Sequence, residues 1–199
     1  MKKFLVVIDT QFDFVMPNGA LYVKDAEQII VPGIGFLANL DPQAYEGALL
    51  TFDTHLPGTY EGSPESELFP IHCVHGTPGW ENVFNKDLIH RDIKVWTLNK
   101  NVFNMWEEDD LSLLHEAWLG DAEQHEIVFR DAFFENLKFI GVDTIEIFGV
   151  ASDFCVKWAV DGFTKRGFKV EVIDHLCRGI DRPVREVFDE SGYSNVKVV

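Results

Sequence analysis

A chain of 199 residues with 46% hydrophobic side chains can bury a substantial core within one domain. Its 17 basic against 33 acidic residues leave a net charge of -16, which excludes a nucleic-acid groove or an anionic membrane surface, since both need concentrated Lys and Arg. Three scattered cysteines, Cys73, Cys155 and Cys177, make no disulfide framework, and their odd number leaves a thiol free. A reducing, cytoplasmic setting is expected.

The N-terminus reads Met-Lys-Lys and then the apolar run Phe4–Ile8, stopped by Asp9. That run is too short for a signal peptide or a membrane span. Rich in β-branched residues, it reads as a strand covered on both faces. Residues 25–40 have a helical pattern that Pro32 and Gly33 break or delay. Ala48–Phe52 is a second strand, ending at Asp53. A stretch rich in Pro, Gly, Ser and Glu follows over 54–84, and a loop of that length inside a compact domain is usually functional or disordered.

Val95–Leu98 predicts a third strand, leading to Lys100. Helical patterns follow at Leu111–Trp118 and Ala132–Ile140, then a strand at Thr144–Val150 and a helix at Phe154–Lys165. Lys169–Ile173 predicts another strand, Val184–Ser191 a helix and Val196–Val199 a last strand. Strands alternating with helices are the mark of βαβ units. The expected fold is α/β: one domain over 1–199 with an open, mostly parallel sheet of about six strands and helices on both faces, a Rossmann-like three-layer arrangement.

Polar residues cluster at the ends of these strands. Strand one ends in Asp9, strand two in Asp53 with His55 two positions on, and strand three in Lys100. The fourth gives way to a loop holding Asp153 and Cys155. Open parallel sheets bind ligands at the carboxyl ends of their strands. A buried cysteine is ordinary packing when it stands alone. A thiol with a carboxylate and an ammonium at one sheet edge is instead a nucleophile with its base and electrostatic support. Ser152 or Asp153 would cap the helix and leave Cys155 in its first turn, where the dipole and a nearby lysine favour thiolate. Asp9 would oppose the thiolate and accept the thiol proton.

The long loop offers a second set: Asp53 and His55 at alternate positions, then Glu61, Glu65, His72 and His75. Alternate residues of an extended segment share a face, and mixed N and O donors suit Zn, Mn or Fe better than Mg or Ca. Loop histidines are also commonly plain solvent-facing residues.

Four segments together resemble one family. Ile8-Asp-Thr-Gln-Phe-Asp-Phe14 resembles the opening motif of the isochorismatase-like cysteine hydrolases, and Leu98-Asn-Lys100 and Gly149-Val-Ala-Ser-Asp-Phe-Cys155-Val resemble their lysine and nucleophile motifs. Phe52-Asp-Thr-His55 with Pro64-Glu-Ser-Glu-Leu-Phe-Pro-Ile-His72-Cys-Val-His-Gly-Thr77 is similar to the metal loop of nicotinamidases. The matches run from Phe4 to about Gly167 in the family's order.

The resemblance implies a triad of Asp9, Lys100 and Cys155, and an oxyanion hole from the N–H groups of Ala151 and Cys155 beside a cis peptide at Val150–Ala151. It implies Asp53, His55, Glu65 and His72 around a divalent ion, zinc first, with manganese or iron as alternatives and Glu61 as rival to Glu65. Phe14, Phe69 and Phe103 would clasp the substrate ring. Where relatives often carry Trp and Tyr, this chain has Phe69 and Phe103, and Phe12 stands where Asn is common. The last expected strand ends the sequence, so the C-terminal helix found in some relatives is expected to be missing.

The implied activity is hydrolysis of nicotinamide, or a pyrazinamide-like amide, in NAD salvage, with no nucleic-acid or membrane partner and a homo-oligomer as the common assembly. Two alternatives stand beside it: a metal-free amidase for ureido or carbamoyl substrates, and a binding or scaffold protein with an idle thiol.

Overall fold

The computed structural model describes residues 2–119, 122–189 and 192–199. Its strands are β1 (Lys3–Ile8), β2 (Tyr45–Asp53), β3 (Lys94–Lys100), β4 (Ser112–Leu119), β5 (Ala122–Phe129), β6 (Thr144–Val150), β7 (Lys169–Arg178) and β8 (Val196–Val198). The helices are α1 (Phe12–Val15), α2 (Ile30–Ala38), α3 (Pro57–Tyr60), α4 (Arg130–Phe139), α5 (Cys155–Lys165) and α6 (Val184–Asp189). The strands form one sheet in the order β5-β4-β3-β2-β1-β6-β7-β8. All neighbouring pairs from β3 to β8 are parallel, and β4 and β5 add an antiparallel hairpin beyond β3.

Hydrophobic burial explains the central strand. Phe4 to Ile8 are all buried, and alternate side chains point to opposite faces. Phe4 meets Phe133 and Phe134 of α4 on one face. On the other, Phe148 of β6 meets Phe36 of α2 and Phe84. Phe134 is the hub of the first layer, with ring centroids of Phe133, Trp106 and Phe163 at 5.3, 5.4 and 5.0 Å.

Two expectations need correction. The sheet has eight strands rather than about six, and Leu111–Trp118 contributes strand β4 instead of a helix. Its apolar residues fit both a helical and an extended template. Pairing decides: Leu113 is fully buried, opposite Leu98 on one side and Val128 on the other. The partner, β5, has too few apolar residues to be noticed from sequence. Around Pro32 the helix is delayed rather than broken: a 3-10 turn, Ala26–Ile29, precedes α2, and Pro32 sits in the first turn, where a missing N–H costs nothing. The expected helix Val184–Ser191 is present as α6, and Glu190 and Ser191 lie outside the described residues. Among the described residues no helix is long and apolar enough to cross a membrane.

The register positions the candidate site. Asp53 pairs directly with Lys100 across β2 and β3, and Ile8 with Gly149 across β1 and β6. Gly149 has φ +134°, and a Cβ there would fall 2.1 Å from the Ile8 carbonyl oxygen. Only glycine lets the two strands approach so closely just before the loop that carries Cys155. Phe134→Ala should remove the hub of the core and lower unfolding free energy by about 3 to 5 kcal/mol, read as a lower urea midpoint.

Candidate active site

Three neighbouring strands end in buried charge. The Lys100 ammonium lies 2.9 Å from Asp9 Oδ2, 3.4 Å from Asp53 Oδ1 and 3.8 Å from Cys155 Sγ. None of these four residues is more than 5% exposed. Asp9 takes a left-handed backbone with φ 47° as the chain leaves β1, a conformation uncommon outside glycine that needs support from its surroundings. Thr51 supplies part of that support. Its Oγ1 donates to Asp9 Oδ1 at 2.5 Å and accepts the Asp9 N–H at 3.1 Å.

Electrostatics keep this cluster as one ammonium between two carboxylates. Burial would lower Lys100, but Asp53 and Asp9 outweigh it and hold the ammonium well above its ordinary range. Burial would raise Asp53, yet Lys100 and hydrogen bonds from His55 and His72 hold that carboxyl far below the usual carboxylate range. The Cys155 thiol goes the other way. Burial pushes it well above its ordinary value, Lys100 opposes the rise, and Asp9 and Asp53 add to it. Burial and the two carboxylates thus outweigh Lys100 and the first-turn position on α5, and favour the neutral thiol.

The loop before α5 is built differently from expectation. The Asp153 carboxylate does not cap the helix; it accepts the N–H groups of Ile180, Asp181 and Arg182 at 2.9, 2.7 and 2.9 Å. Ser152 Oγ donates to the Arg182 carbonyl at 2.8 Å. Residue Phe154 occupies the N-cap position, without a side-chain cap. The Val150–Ala151 peptide is cis, and the Ala151 carbonyl accepts the N–H groups of Phe154 and Val156 at 3.2 and 3.0 Å. Ala151 and Cys155 thus bracket one tight turn.

A second cluster adjoins the first through Asp53. Donor atoms of Asp53, His55, Glu65 and His72 all lie within 4.8 Å of one another, and all four residues are buried. Asp53 Oδ2 is 3.2 Å from His55 Nε2 and 3.1 Å from His72 Nε2, while Glu65 oxygens stand 3.6 and 3.7 Å from the same two nitrogens. His72 Nδ1 faces the Pro70 carbonyl at 2.8 Å, which leaves Nε2 to present a lone pair inward.

Both Glu65 oxygens are buried without a hydrogen-bond partner, and burial together with Asp53 raises the Glu65 carboxyl to about 8. Two carboxylates and two imidazole nitrogens converging on one point suit a divalent cation and leave those oxygens unsatisfied otherwise. The rival, Glu61, is exposed at the end of α3 and takes no part.

The loop that carries these ligands is held locally. His55 N–H donates to the Cys73 carbonyl and His75 N–H to the His55 carbonyl, a short strand-like bridge. Buried Tyr60 packs its ring 4.6 Å from His55, and its hydroxyl donates to the Phe69 and Pro70 carbonyls.

Phe14 lies buried with its ring 5.1 Å from His72. Phe69 and Phe103 stand 5.6 Å apart, and Phe154 meets Phe69 edge-on at 5.7 Å and Phe103 in a tilted contact at 5.6 Å. Sequence reasoning passed over Phe154, Thr51 and Tyr60; the position of Phe154 directly before Cys155 was the one available signal. Beside this trio, a cavity of about 200 Å³ is lined by Pro64, Glu65, Val102, Phe103, Glu107 and Trp158 and reaches the four-residue cluster at Glu65.

No family model matches the chain. It is 28% identical over 193 residues to a nicotinamidase of Acinetobacter baylyi, covering 89% of this chain and 81% of that protein. It is 27% identical to an isochorismatase family protein of Bacillus subtilis, covering 86% and 84%. The pyrazinamidase of Pyrococcus horikoshii, solved in complex with zinc, superposes over 100% of this chain and 99% of its own with a TM-score of 0.69 and 25% identity. The chain has the isochorismatase-like fold and is similar in sequence to hydrolases of that family. Its relatives include nicotinamidases and pyrazinamidases, and its mostly parallel open sheet is the fold they share.

Thr51→Val should strand Asp9 Oδ1 in a buried setting. A loss of about 1 to 3 kcal/mol in unfolding free energy is expected from urea denaturation.

Proposed function

We propose that this isochorismatase-like hydrolase cleaves a small aromatic carboxamide, nicotinamide first and pyrazinamide-like amides with it, to the acid and ammonia through a thioester on Cys155. The observation that carries the reading is the single ammonium of Lys100 set between Asp9 and Cys155, next to the Asp53, His55, Glu65 and His72 cluster. Zinc in the pyrazinamidase relative supports a metal here too.

In this reading Asp9 accepts the thiol proton as Sγ of Cys155 attacks the carbonyl carbon and the π pair moves onto oxygen. The N–H groups of Ala151 and Cys155 hold that oxyanion, each such donor contributing about 3 kcal/mol in comparable sites. When the carbonyl re-forms, the C–N bond breaks and the Asp9 proton goes to nitrogen, releasing ammonia. Water then gives a proton to Asp9 while attacking the thioester, the C–S bond breaks, and the proton returns to sulfur. Lys100 stays charged throughout and balances Asp9.

Asp53, His55, Glu65 and His72 would hold a divalent ion, zinc first and manganese or iron next, which supplies a Lewis-acidic anchor for a ring nitrogen. Phe14, Phe69 and Phe103 would hold the ring by its faces and edges. Phe69 and Phe103 offer no hydrogen-bond donor, so selectivity rests on ring shape and the ring nitrogen.

Ammonia release from a panel of pyridine, pyrazine and ureido amides tests the proposal. Nicotinamide should be turned over, and Cys155→Ala should lose about a thousandfold or more in kcat. Ammonia from ureido compounds alone would sink the substrate assignment. Removing metal with a chelator, or the change His55→Ala, should act mainly on KM, with zinc restoring the chelated wild type. Full activity in protein shown to be metal-free would refute the metal's role.

A further inference from the structure

Among the residues that no expectation singled out, Gln11 is fully buried and uses its whole carboxamide. Its Oε1 accepts the Asp53 N–H at 2.7 Å, and its Nε2 donates to the Asp53 carbonyl at 2.8 Å and to the Trp80 carbonyl at 2.9 Å. Both main-chain polar groups of one residue are thereby held by one side chain, in the manner of a neighbouring strand.

The sheet explains why this is needed. On the β3 side, Asp53 pairs with Lys100. Toward β1 the ladder stops at Val7 opposite Leu50, because the chain turns away at Asp9 to form the site. The end of β2 thus overhangs its neighbour by three residues, Thr51, Phe52 and Asp53, exactly where its carboxylate must face Lys100 and two histidines. The Gln11 carboxamide stands in for the missing peptide group of β1. Its third bond, to Trp80, ties the same point to the segment following the histidine loop, where Trp80 Nε1 also donates to Thr54 Oγ1 at 2.9 Å.

We propose that Gln11 is a positioning residue for Asp53, fixing the carboxylate that faces the metal cluster. It acts only through Asp53 and does not itself touch an ion, Lys100 or Cys155. The inference rests on the metal site of the proposed function. The side-chain chemistry is specific: a flat group with one acceptor and a two-proton donor at this reach. Gln11→Glu keeps the size but points an oxygen at two carbonyls, Gln11→Asn keeps the chemistry but falls one methylene short, and Gln11→Ala removes both. Outer partners of metal ligands typically govern affinity by about 10- to 100-fold.

The test is zinc titration of the purified wild type, Gln11→Asn and Gln11→Ala against a chromophoric chelator, below the melting temperature of each. Cobalt(II) absorption spectra of the same proteins report the ligand geometry. Wild type should bind one ion tightly, and both variants should weaken zinc by about 10- to 100-fold and alter the cobalt bands. If Gln11→Ala does not fold, Gln11→Asn carries the comparison. A role in stability alone predicts a lower melting temperature with unchanged zinc affinity and cobalt spectrum, and that result overturns the proposal. Wild type that binds no zinc or cobalt instead overturns the metal reading beneath it, so the two failures are told apart.

Discussion

One buried carboxylate, Asp53, faces two ways. Oδ2 is turned to the imidazoles of His55 and His72, and Oδ1 to the ammonium of Lys100, itself in contact with Asp9 and Cys155. The thiol centre and the histidine centre are therefore adjoining parts of one charged network. Burying such a network is costly unless each charge finds a partner, and deleting one member leaves the others uncompensated. Two carboxylates on one ammonium leave a negative excess, which favours further positive charge beside Asp53 and Glu65. A cation at the histidine cluster would supply it.

Backbone geometry makes this arrangement available. Adjacent parallel strands end at the same edge, so a polar residue at each end lies beside the next: Lys100 by Asp53, Asp53 near Asp9, and the Cys155 loop past Gly149. Apolar burial on both faces fixes the strands, and their register passes that rigidity to the charged tips. Loop 54–84 has no such scaffold and borrows it through the His55–Cys73 bridge, Tyr60 and Gln11. Asp13 adds to the same support, its Oδ2 accepting the Cys73 N–H at 2.8 Å.

The parallel part of the fold was legible because doubly covered strands are mostly apolar runs, continuous in Phe4–Ile8 and broken only by Glu146 within Ile145–Val150. The hairpin was not. In β4, one segment suits two periodicities, and β5 is short of apolar residues; only their mutual pairing defines them. At the site, Asp9, Asp53, Lys100 and Cys155 stood out as ionisable groups interrupting apolar pattern. Thr51 and Gln11 carry no such signal, because each acts on a residue 42 positions away in sequence. Ser152 and Asp153 misled for a related reason: both suit a helix cap, but distant backbone groups at residues 180–182 claim them first.

Charge balance also accounts for the state of the sulfur. A thiolate at Cys155 would be a third negative charge beside one ammonium in a site that water hardly reaches, and the first-turn position on α5 cannot offset that. In the proposed mechanism the thiol proton moves onto Asp9 as the sulfur attacks, which keeps the number of charges constant. The Lys100 ammonium lies 2.9 Å from Asp9 and 3.8 Å from Cys155 Sγ, so in that mechanism it stays beside both groups that exchange the proton. A thiol kept neutral until a proton acceptor is engaged is also protected from adventitious oxidation and alkylation, since the thiolate is the reactive form.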